Sequence, residues 1–341
     1  MKKSLMTLGV LALFVLMAYG QEKKFALYSV AFYNMENLFD TIHDEGKNDY
    51  EYLPNGTNQW NTMKYKAKLK NMSEILSMLS TDKLPMGPAI IGVSEIENYR
   101  VLEDILKQPA LADRGYQYVH YEGADQRGVD CAFFYNPKLF ELTNSKLVPY
   151  VYINDTVHKT RGFLIASGNI AGEKMHFIVN HWPSRAAASP ARERAGEQVR
   201  AIKDSLLRED SAAKIVIMGD MNDDPMDKSM AVALGAKRKP ADVGPTDLYN
   251  PWWDTLKKGY GTLMYKGKWN LFDQIVFTGN LLGTDRSTLK LYKHEIFRRD
   301  FMFQREGKYK GYPKRTQAGG VWLNGYSDHL PTIIYLIKEV K

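Results

Sequence analysis

Short apolar runs recur along nearly the whole sequence of 341 residues, and they constrain the fold more than any other feature. Each run is four to nine residues long, and Gly, Pro, Asn or Asp residues stand near the ends of most runs. Runs of this length and setting are typical of β-strands. We therefore predict strands at Phe25–Tyr33, Ala89–Val93, Tyr116–Tyr121, Cys131–Tyr135, Phe163–Ala166, Met175–Val179, Lys214–Met218, Gln274–Phe277 and Thr332–Ile337.

Helical periodicity occupies the longer intervals between these runs. After Asn61-Thr62, which can cap a helix, apolar residues follow at spacings of three or four: Tyr65, Leu69, Met72, Leu76 and Leu79. A second helix is predicted from about Ala191 to Leu207, and a short third helix at Val101–Leu106. Many strands with a few helices between them indicate an α/β fold in which packed sheets carry helices on their outside.

The spread of the strands bears on the number of domains. At roughly 150 residues per domain, a chain of this length would suggest two domains. Yet strands extend from residue 25 to residue 337, and neither an internal repeat nor a long Ser/Pro/Gly linker divides them. We therefore expect the first and last strands to share one core, in a single domain over residues 21–341.

Residues 1–20 have the features of a signal peptide. Lys2 and Lys3 precede a mostly apolar stretch of 14 residues from Leu5 to Ala18, and Ala18-Tyr19-Gly20 places small residues at a cleavage site. The stretch is too short to span a bilayer comfortably, although an uncleaved anchor is the alternative. No cysteine stands at the site to carry a lipid, and no second apolar run is long enough to cross a membrane. We expect a periplasmic or secreted protein without stable membrane insertion.

The composition excludes several classes of protein. A single cysteine, Cys131, cannot form an internal disulfide or a four-cysteine zinc site. With 46 Lys and Arg against 39 Asp and Glu, the net charge is +7, and removing Lys2 and Lys3 leaves 44 − 39 = +5. A surplus of this size does not identify a partner by itself.

Polar side chains gather where the predicted strands begin or end. They are Asn34, Glu36 and Asn37, then Glu95, Glu97 and Asn98, then Asn180-His181, Asp220 to Asp223, Asp273, and Asp328-His329. A single group of this kind is usually a cap or a turn. Six groups that mix carboxylates, amides and imidazoles argue for a functional site at one edge of the sheets. Carboxylate and amide oxygens suit a hard cation such as Mg²⁺, with Mn²⁺ or Ca²⁺ as alternatives. Such a cation neutralises phosphate oxygens during hydrolysis.

The same groups occur within longer motifs that resemble a known family. These are Asn34-x-Glu36-Asn37, Val93-Ser94-Glu95-Ile96-Glu97, Asn180-His181-Trp182, Gly219-Asp220-Met221-Asn222, Leu271-Phe272-Asp273-Gln274-Ile275 and Ser327-Asp328-His329-Leu330-Pro331. Together they resemble the endonuclease/exonuclease/phosphatase superfamily over roughly residues 25–338. The resemblance implies a four-layer α/β/β/α sandwich of two packed, mainly antiparallel sheets flanked by helices, with the active site at one end of the sheets.

The resemblance also implies roles for individual residues. It implies that Glu95 is the principal metal ligand, with Asn34, Glu36 and Asp328 at or near the metal. Glu36 has an open alternative, a carboxylate bonded to a neighbouring loop. Asp220 corresponds to the carboxylate that positions or activates water, with Asn222 on the phosphate beside it. His329 corresponds to the imidazole on the phosphate, oriented by Asp273, and His181 is the candidate general acid.

The substrate is less constrained than the chemistry. Arg127, Asn180 and Arg185 are candidate substrate-binding residues, and surface salt bridges are the alternative for both arginines. The segment Tyr292–Arg315 holds eight Lys and Arg residues, three acids and six aromatic residues. This mixture suits a nucleic-acid groove, although a solvated strand pair with aromatic residues facing the core would look the same.

Three functions are compatible with this sequence. The first is a secreted, metal-dependent phosphodiesterase of the nuclease type, acting as a monomer on nucleic acid. The second is a phosphatase or phospholipid phosphodiesterase, of the inositol-phosphate or sphingomyelin type, on the same fold. The third is a catalytically silent binding module, which the presence of Glu95, Asp220 and His329 disfavours.

Overall fold

A computed structural model gives the structure of residues 23–153 and 157–340, so the predicted signal peptide lies outside the described residues. The helices are α1 (Thr62–Met78), α2 (Tyr99–Leu106), α3 (Ser189–Glu209) and α4 (Trp252–Lys257). The strands are β1 (Lys24–Leu38), β2 (Ile90–Ile96), β3 (Gln117–His120), β4 (Asp130–Tyr135), β5 (Glu141–Val148), β6 (Phe163–Ile170), β7 (Glu173–His181), β8 (Lys214–Asp220), β9 (Ala236–Lys237), β10 (Leu248–Tyr249), β11 (Leu263–Tyr265), β12 (Lys268–Asn270), β13 (Asp273–Thr278), β14 (Lys290–Ile296), β15 (Gln317–Ala318), β16 (Val321–Trp322) and β17 (Thr332–Val340).

Two large sheets form the centre of the molecule. One has the strand order β14-β17-β1-β2-β4-β3, and the other has the order β5-β6-β7-β8-β13-β10-β9. Each contains a parallel pair joined through a helix, β1-α1-β2 in the first sheet and β7-α3-β8 in the second, and most other neighbours are antiparallel. Strands β1 and β17 pair from Lys24 with Val340 to Phe32 with Thr332, so both ends of the described chain lie in one sheet.

Three apolar layers hold the sheets and helices together. The layer between the two sheets contains Phe32 and Phe133 from the first sheet and Phe177 and Met218 from the second. A second layer packs the outer face of the first sheet against α1 and α2, and a third packs the outer face of the second sheet against α3. The predicted α/β/β/α sandwich is therefore confirmed. Among the described residues, no helix has both the length and the apolar character needed to cross a membrane.

All nine predicted strands are present, because strands buried on both faces read as continuous apolar runs. The three predicted helices are also present, and the side chain of Asn61 caps α1 by accepting a hydrogen bond from the backbone N–H of Lys64 at 3.1 Å. The long strands β5 and β14 were not predicted. Both are edge strands whose residues are largely half-buried or exposed, so their sequences are polar.

Candidate active site

The sheet registers bring the predicted polar groups to one end of the sandwich. Asn34 of β1 lies opposite Ser94 of β2, next to Glu95. In the second sheet, Asp220 ends β8 and lies between His181 of β7 and Asp273 of β13. Asp328 and His329 precede β17, which begins opposite Phe32, two residues before Asn34. Side chains from positions far apart in the sequence therefore meet at one edge.

Asn34 connects the two sheets through its amide. Its Nδ2 donates to Oε1 of Glu95 at 3.1 Å and to Oδ2 of Asp220 at 3.0 Å. Its Oδ1 accepts from the backbone N–H of Glu36 at 2.8 Å, which fixes the orientation of the amide. The placement of Asn34 at the metal site stays a prediction, and its oxygen already accepts one hydrogen bond. Its NH₂ group holds two carboxylates together.

His329 and Asp273 form a buried pair. Nδ1 of His329 lies 2.7 Å from Oδ2 of Asp273, and Nε2 of His329 lies 3.9 Å from carboxylate oxygens of both Asp220 and Asp328. Burial alone would lower the pKa of His329, but the carboxylates of Asp273, Asp220 and Asp328 raise this pKa well above 6.5. His329 is therefore a protonated donor at neutral pH.

Asp220 lies in crowded, buried surroundings. Its Oδ1 accepts from the backbone N–H of Asn222 at 2.9 Å. Burial, with further contributions from the carboxylates of Asp273 and Glu95, raises the pKa of Asp220 to about 7, although His329 and the Asn222 hydrogen bond oppose this rise. A divalent cation would relieve the repulsion between these carboxylates. The donor atoms of Glu95, His181 and Asp220 all lie within 4.8 Å of one another, so these three residues fit a cation site.

His181 differs from His329 in its charge state. Its Nε2 lies 3.7 Å from Oε1 of Glu95 and 3.6 Å from Oδ2 of Asp220. Burial, followed by the positive charges of Arg161, Arg127 and His329, nevertheless lowers the pKa of His181 well below 6.5. A neutral imidazole among carboxylates is suited to binding a cation. The geometry therefore does not support the prediction that His181 is the general acid.

The backbone is strained at this site. Glu36, Asn37, Glu95 and Asn222 have positive φ angles of 46°, 53°, 59° and 52°. Non-glycine residues occupy this region at a cost of about 1–3 kcal/mol, and such residues cluster at functional sites. Two of these residues contact each other: the backbone N–H of Asn37 donates a hydrogen bond to Oε2 of Glu95 at 2.8 Å.

Glu36 is bonded to a loop, which is the alternative role that its sequence position left open. Its Oε1 accepts from Nε of Arg315 at 2.8 Å, and its Oε2 accepts from the backbone N–H of Thr316 at 2.7 Å. Arg315 also lies 2.9 Å from Oδ2 of Asp328. Both carboxylates are thus paired with one guanidinium, as the loop-bonded alternative for Glu36 describes, and metal binding by Glu36 and Asp328 stays a prediction.

The predicted substrate-binding residues differ in their accessibility. Asn180 is fully buried and donates to the backbone oxygens of Ile178 and Met218, so it supports the strand ends rather than contacting substrate. The guanidinium of Arg185 contacts Asp224 and Asp227, which is the salt-bridging alternative. Arg127 has a side chain 49% exposed, and among the described residues its one ion pair is a 3.8 Å contact with Asp125, which leaves much of the guanidinium accessible.

A cleft of about 890 Å³ opens beside the carboxylates. Its walls contain Glu36, Asn37, Arg315 and Asp328 on the side of the site, and the aromatic residues Tyr52, Trp60, Tyr265, Tyr309 and Tyr312 elsewhere. The hairpin β11–β12 starts at the site, since Leu263 bridges to His329, and its tip is bonded to Tyr312 through the backbone N–H of Gly267 at 2.6 Å. The hairpin and the segment 304–313 therefore form one continuous wall.

The basic segment Tyr292–Arg315 has two different parts. In its first part three aromatic residues face the core, since Phe297 is buried and Phe301 and Phe303 pack against the layer beneath α1, while Tyr292 is exposed. In its second part Lys308, Tyr309, Tyr312 and Arg315 line the cleft. The first part therefore agrees with the interpretation that its aromatic residues face the core, and nucleic-acid binding by the second part stays a prediction.

Two residues near the site had no signal in the sequence. Arg161 is buried, and its guanidinium donates to Oδ2 of Asp125 and to the backbone oxygen of Trp182, each at 3.0 Å. Lys68 is fully buried in α1, and its Nζ donates to Thr316 and to the backbone oxygen of Tyr326. In the sequence, Lys68 is one of four lysines that alternate along a helix, a pattern typical of a solvated helix. Its burial follows only from the packing of the loop over α1.

This fold and site define the class of metal-dependent phosphoesterases: two packed sheets, with carboxylates and an acid–histidine pair at one end. The chain belongs to the Endonuclease/Exonuclease/phosphatase family, since a model of that family matches residues 29–338. This confirms the resemblance seen in the motifs. A search of curated protein sequences found no match.

Solved structures of similar fold share little sequence with this chain. A protein of this family from Bacteroides thetaiotaomicron has a TM-score of 0.58 at 15% identity, covering 93% of this chain and 97% of its own. A mannosyl-6-phosphatase from the same organism has a TM-score of 0.56 at 15% identity, covering 91% and 99%. D. rerio TDP2 complexed with a single-strand DNA product has a TM-score of 0.52 at 14% identity, covering 91% and 99%. These likenesses establish the fold.

Proposed function

We propose that this enzyme is a secreted phosphodiesterase of the nuclease type that uses Mg²⁺, or Mn²⁺ or Ca²⁺ in its place, and acts as a monomer. The observation that carries the proposal is the position of the aromatic and basic cleft, whose wall includes Asp328, the residue before His329, and Leu263, which bridges to His329. Aromatic side chains stack on bases, and basic side chains follow the phosphates of a strand. A nucleic-acid strand whose scissile phosphate lies at His329 would continue along this cleft.

Each residue of the candidate active site has its own role in the proposed reaction. Glu95, Asp220 and His181 would hold the cation, which when bound neutralises charge on the phosphoryl oxygens. Ionised Asp220 orients the attacking water and accepts its proton. Protonated His329 donates to a phosphoryl oxygen, and Asp273 keeps the imidazole charged and correctly turned. Asn222, whose backbone N–H orients Asp220, lies next to the phosphate.

The wall of the cleft carries two lysines, Lys266 and Lys308, that have no carboxylate partner among the described residues. Nζ of Lys266 lies 5.3 Å from the ring centre of Tyr265, and Nζ of Lys308 lies 5.5 Å from that of Tyr309. Within residues 23–153 and 157–340, neither lysine forms an ion pair. Such lysines suit phosphates beyond the scissile one, which a polynucleotide has and a monoester lacks.

A second candidate function is hydrolysis of a small phosphate ester, such as a sugar phosphate or an inositol phosphate. The volume of the cleft favours it, because about 890 Å³ falls in the range typical of small-molecule sites. Aromatic walls can also stack on sugar rings. This candidate predicts turnover of monoesters at rates above those of nucleic acid.

A substrate panel tests the proposal. The mature protein, residues 21–341, is assayed with Mg²⁺, Mn²⁺ or Ca²⁺ on single-stranded and duplex DNA, RNA, mannose 6-phosphate, inositol phosphates and sphingomyelin. We expect cleavage of nucleic acid that is abolished by EDTA and by Asp220→Ala. Turnover of monoesters alone would establish the second candidate. Magnesium binding without turnover of any substrate would indicate a silent binding module.

Export is proposed from residues 1–20 alone. Expression of the full chain in a bacterial host, followed by N-terminal sequencing of the periplasmic protein, should find a start at residue 21. Retention of the full chain in the membrane fraction would indicate the uncleaved anchor.

A further inference from the structure

A second group of possible metal ligands lies outside the active site, on the hairpin formed by β3 and β4. His120 ends β3 and pairs with Ala132 of β4. Continuing this antiparallel register places Glu122 opposite Asp130, the first residue of β4. Because side chains alternate along a strand, His120, Glu122 and Asp130 lie on the same face. Their donor atoms are within 4.8 Å of one another.

The side chain of His120 is buried beside the two carboxylates. Its side chain is 4% exposed, and among the described residues its Nε2 has no partner. This nitrogen lies 3.3 Å from Oδ2 of Asp130, yet the angles do not form a hydrogen bond. An unpaired buried nitrogen is unfavourable, and a cation that accepts its lone pair would remove that penalty.

Asp130 is held in place by a close backbone approach. Its Oδ2 accepts from the backbone N–H of Gly123 at 3.0 Å. A Cβ atom added at Gly123 would lie 2.1 Å from Oδ1 of Asp130, so only glycine leaves room for this carboxylate. The carboxylate is therefore fixed by the loop, with one side turned to His120.

We propose that His120, Glu122 and Asp130 bind a second divalent cation of the zinc or manganese type. One imidazole with two carboxylates is a donor set that zinc and manganese accept. This site is distinct from the centre. Asp130 pairs with Ile96, the residue after Glu95. His120 lies on β3, which is two strands away from β2 in the sheet, so the backbones of these two strands are about 10 Å apart at the usual strand spacing.

The cation would fix the loop 121–129, which reaches the active site. This loop carries Arg127, whose charge acts on His181, and Asp125, which pairs with buried Arg161. A cation between the two ends of the loop would hold Arg127 at the edge of the site. The simpler interpretation is an ion pair between His120 and Asp130 that needs no metal.

Zinc binding to the mature protein, measured by calorimetry, separates these interpretations. Asp220→Asn serves as the background, because it weakens binding at the catalytic centre and leaves the hairpin intact. In this background we expect one Zn²⁺ equivalent, with an affinity at least tenfold lower in His120→Gln and in Glu122→Gln. Glu122 is exposed, so its variant should fold normally, and exposed Glu209→Gln is the matched control.

Two further measurements complete the test. Crystals soaked in Zn²⁺ should show an anomalous peak between His120 and Asp130, and Zn²⁺ should slow hydrogen exchange in the loop 121–129. Unchanged zinc affinity in both hairpin variants, with no such peak, would establish the ion pair and overturn the proposal. Neither result depends on turnover, so a failure here is distinguishable from a failure of the proposed nuclease activity.

Discussion

The imidazole of His329 and the carboxylate of Asp273 lie 2.7 Å apart, Nδ1 to Oδ2, in a buried position at the end of the sandwich. Asp273 begins β13 directly beside Asp220, so one sheet supplies both the partner of Nδ1 and one of the two carboxylates that lie 3.9 Å from Nε2. The charge of His329 thus depends on residues of the second sheet, while the residue itself belongs to the loop before β17.

Replacing Asp273 by Asn should impair catalysis and change its pH dependence. Asp273 raises the pKa of His329, so its loss lowers that pKa. Activity that needs protonated His329 falls as the pH rises through this pKa, and the basic limb of the profile should therefore move to lower pH. At neutral pH we expect kcat/KM to fall by about two to three orders of magnitude.

The measurement is kcat/KM for bis-p-nitrophenyl phosphate between pH 5 and 10. Exposed Asp242→Asn is the matched control and should keep the wild-type profile. A reduced rate with an unmoved basic limb would mean that Asp273 does not control the protonation of His329.

Cation binding should release a proton from Asp220. Its pKa of about 7 without a cation means that the carboxyl is largely protonated at pH 6 and ionised at pH 8. A cation favours the ionised form, so we expect nearly one proton released per Mg²⁺ at pH 6 and almost none above pH 8. Calorimetry in buffers of different ionisation enthalpy gives this number, and it should vanish in Asp220→Asn. Equal proton release at both pH values would contradict the assignment.

Removing Lys266 and Lys308 should weaken the binding of oligonucleotides and leave small substrates unaffected. The double variant Lys266→Ala, Lys308→Ala should raise KM for a single-stranded oligonucleotide. The slope of log KM against log salt should fall by about 1 for each phosphate that a lysine no longer neutralises. Turnover of bis-p-nitrophenyl phosphate should stay the same. Exposed Lys239→Ala is the control, and an unchanged salt slope would remove these lysines from the substrate path.

The motifs in the sequence predicted most residues of the candidate active site, because these residues lie at the ends of strands. Runs such as Lys214–Met218 identify the strands, and Asp220 and Asn222 follow directly, so local order predicted their position. The pairing of Asp273 with His329 was implied by the family resemblance, and the geometry agrees with it.

Long-range contacts account for what the sequence could not predict. Whether Glu36 binds a cation or a loop depends on Arg315, which is 279 residues away. The orientation of Asn34 depends on a turn at Glu36, and the lowered pKa of His181 depends first on burial and then on Arg161 and Arg127. Each of these outcomes follows from packing between separate segments, which composition and spacing do not encode.

Lys68 provides a test of such a long-range contact through stability. Burial lowers its pKa from 10.5 to about 8, although Glu36, Asp328 and Glu95 oppose this shift. Between pH 8 and 10.5 the unfolded chain therefore binds more protons at this position than the folded chain does. The contribution of Lys68 to the free energy of unfolding rises with pH across this window, by up to about 3 kcal/mol.

The variant Lys68→Met lacks this titration, so the wild type should gain stability relative to it as the pH rises from 7 to 10. Urea unfolding of both proteins at several pH values measures the difference. Lys70→Met, on the same helix but 72% exposed, is the control and should show a constant difference from the wild type. If the curves for Lys68→Met and wild type run parallel with pH, the folded protein holds Lys68 fully charged throughout, and its bonds to Thr316 and Tyr326 then compensate for its burial.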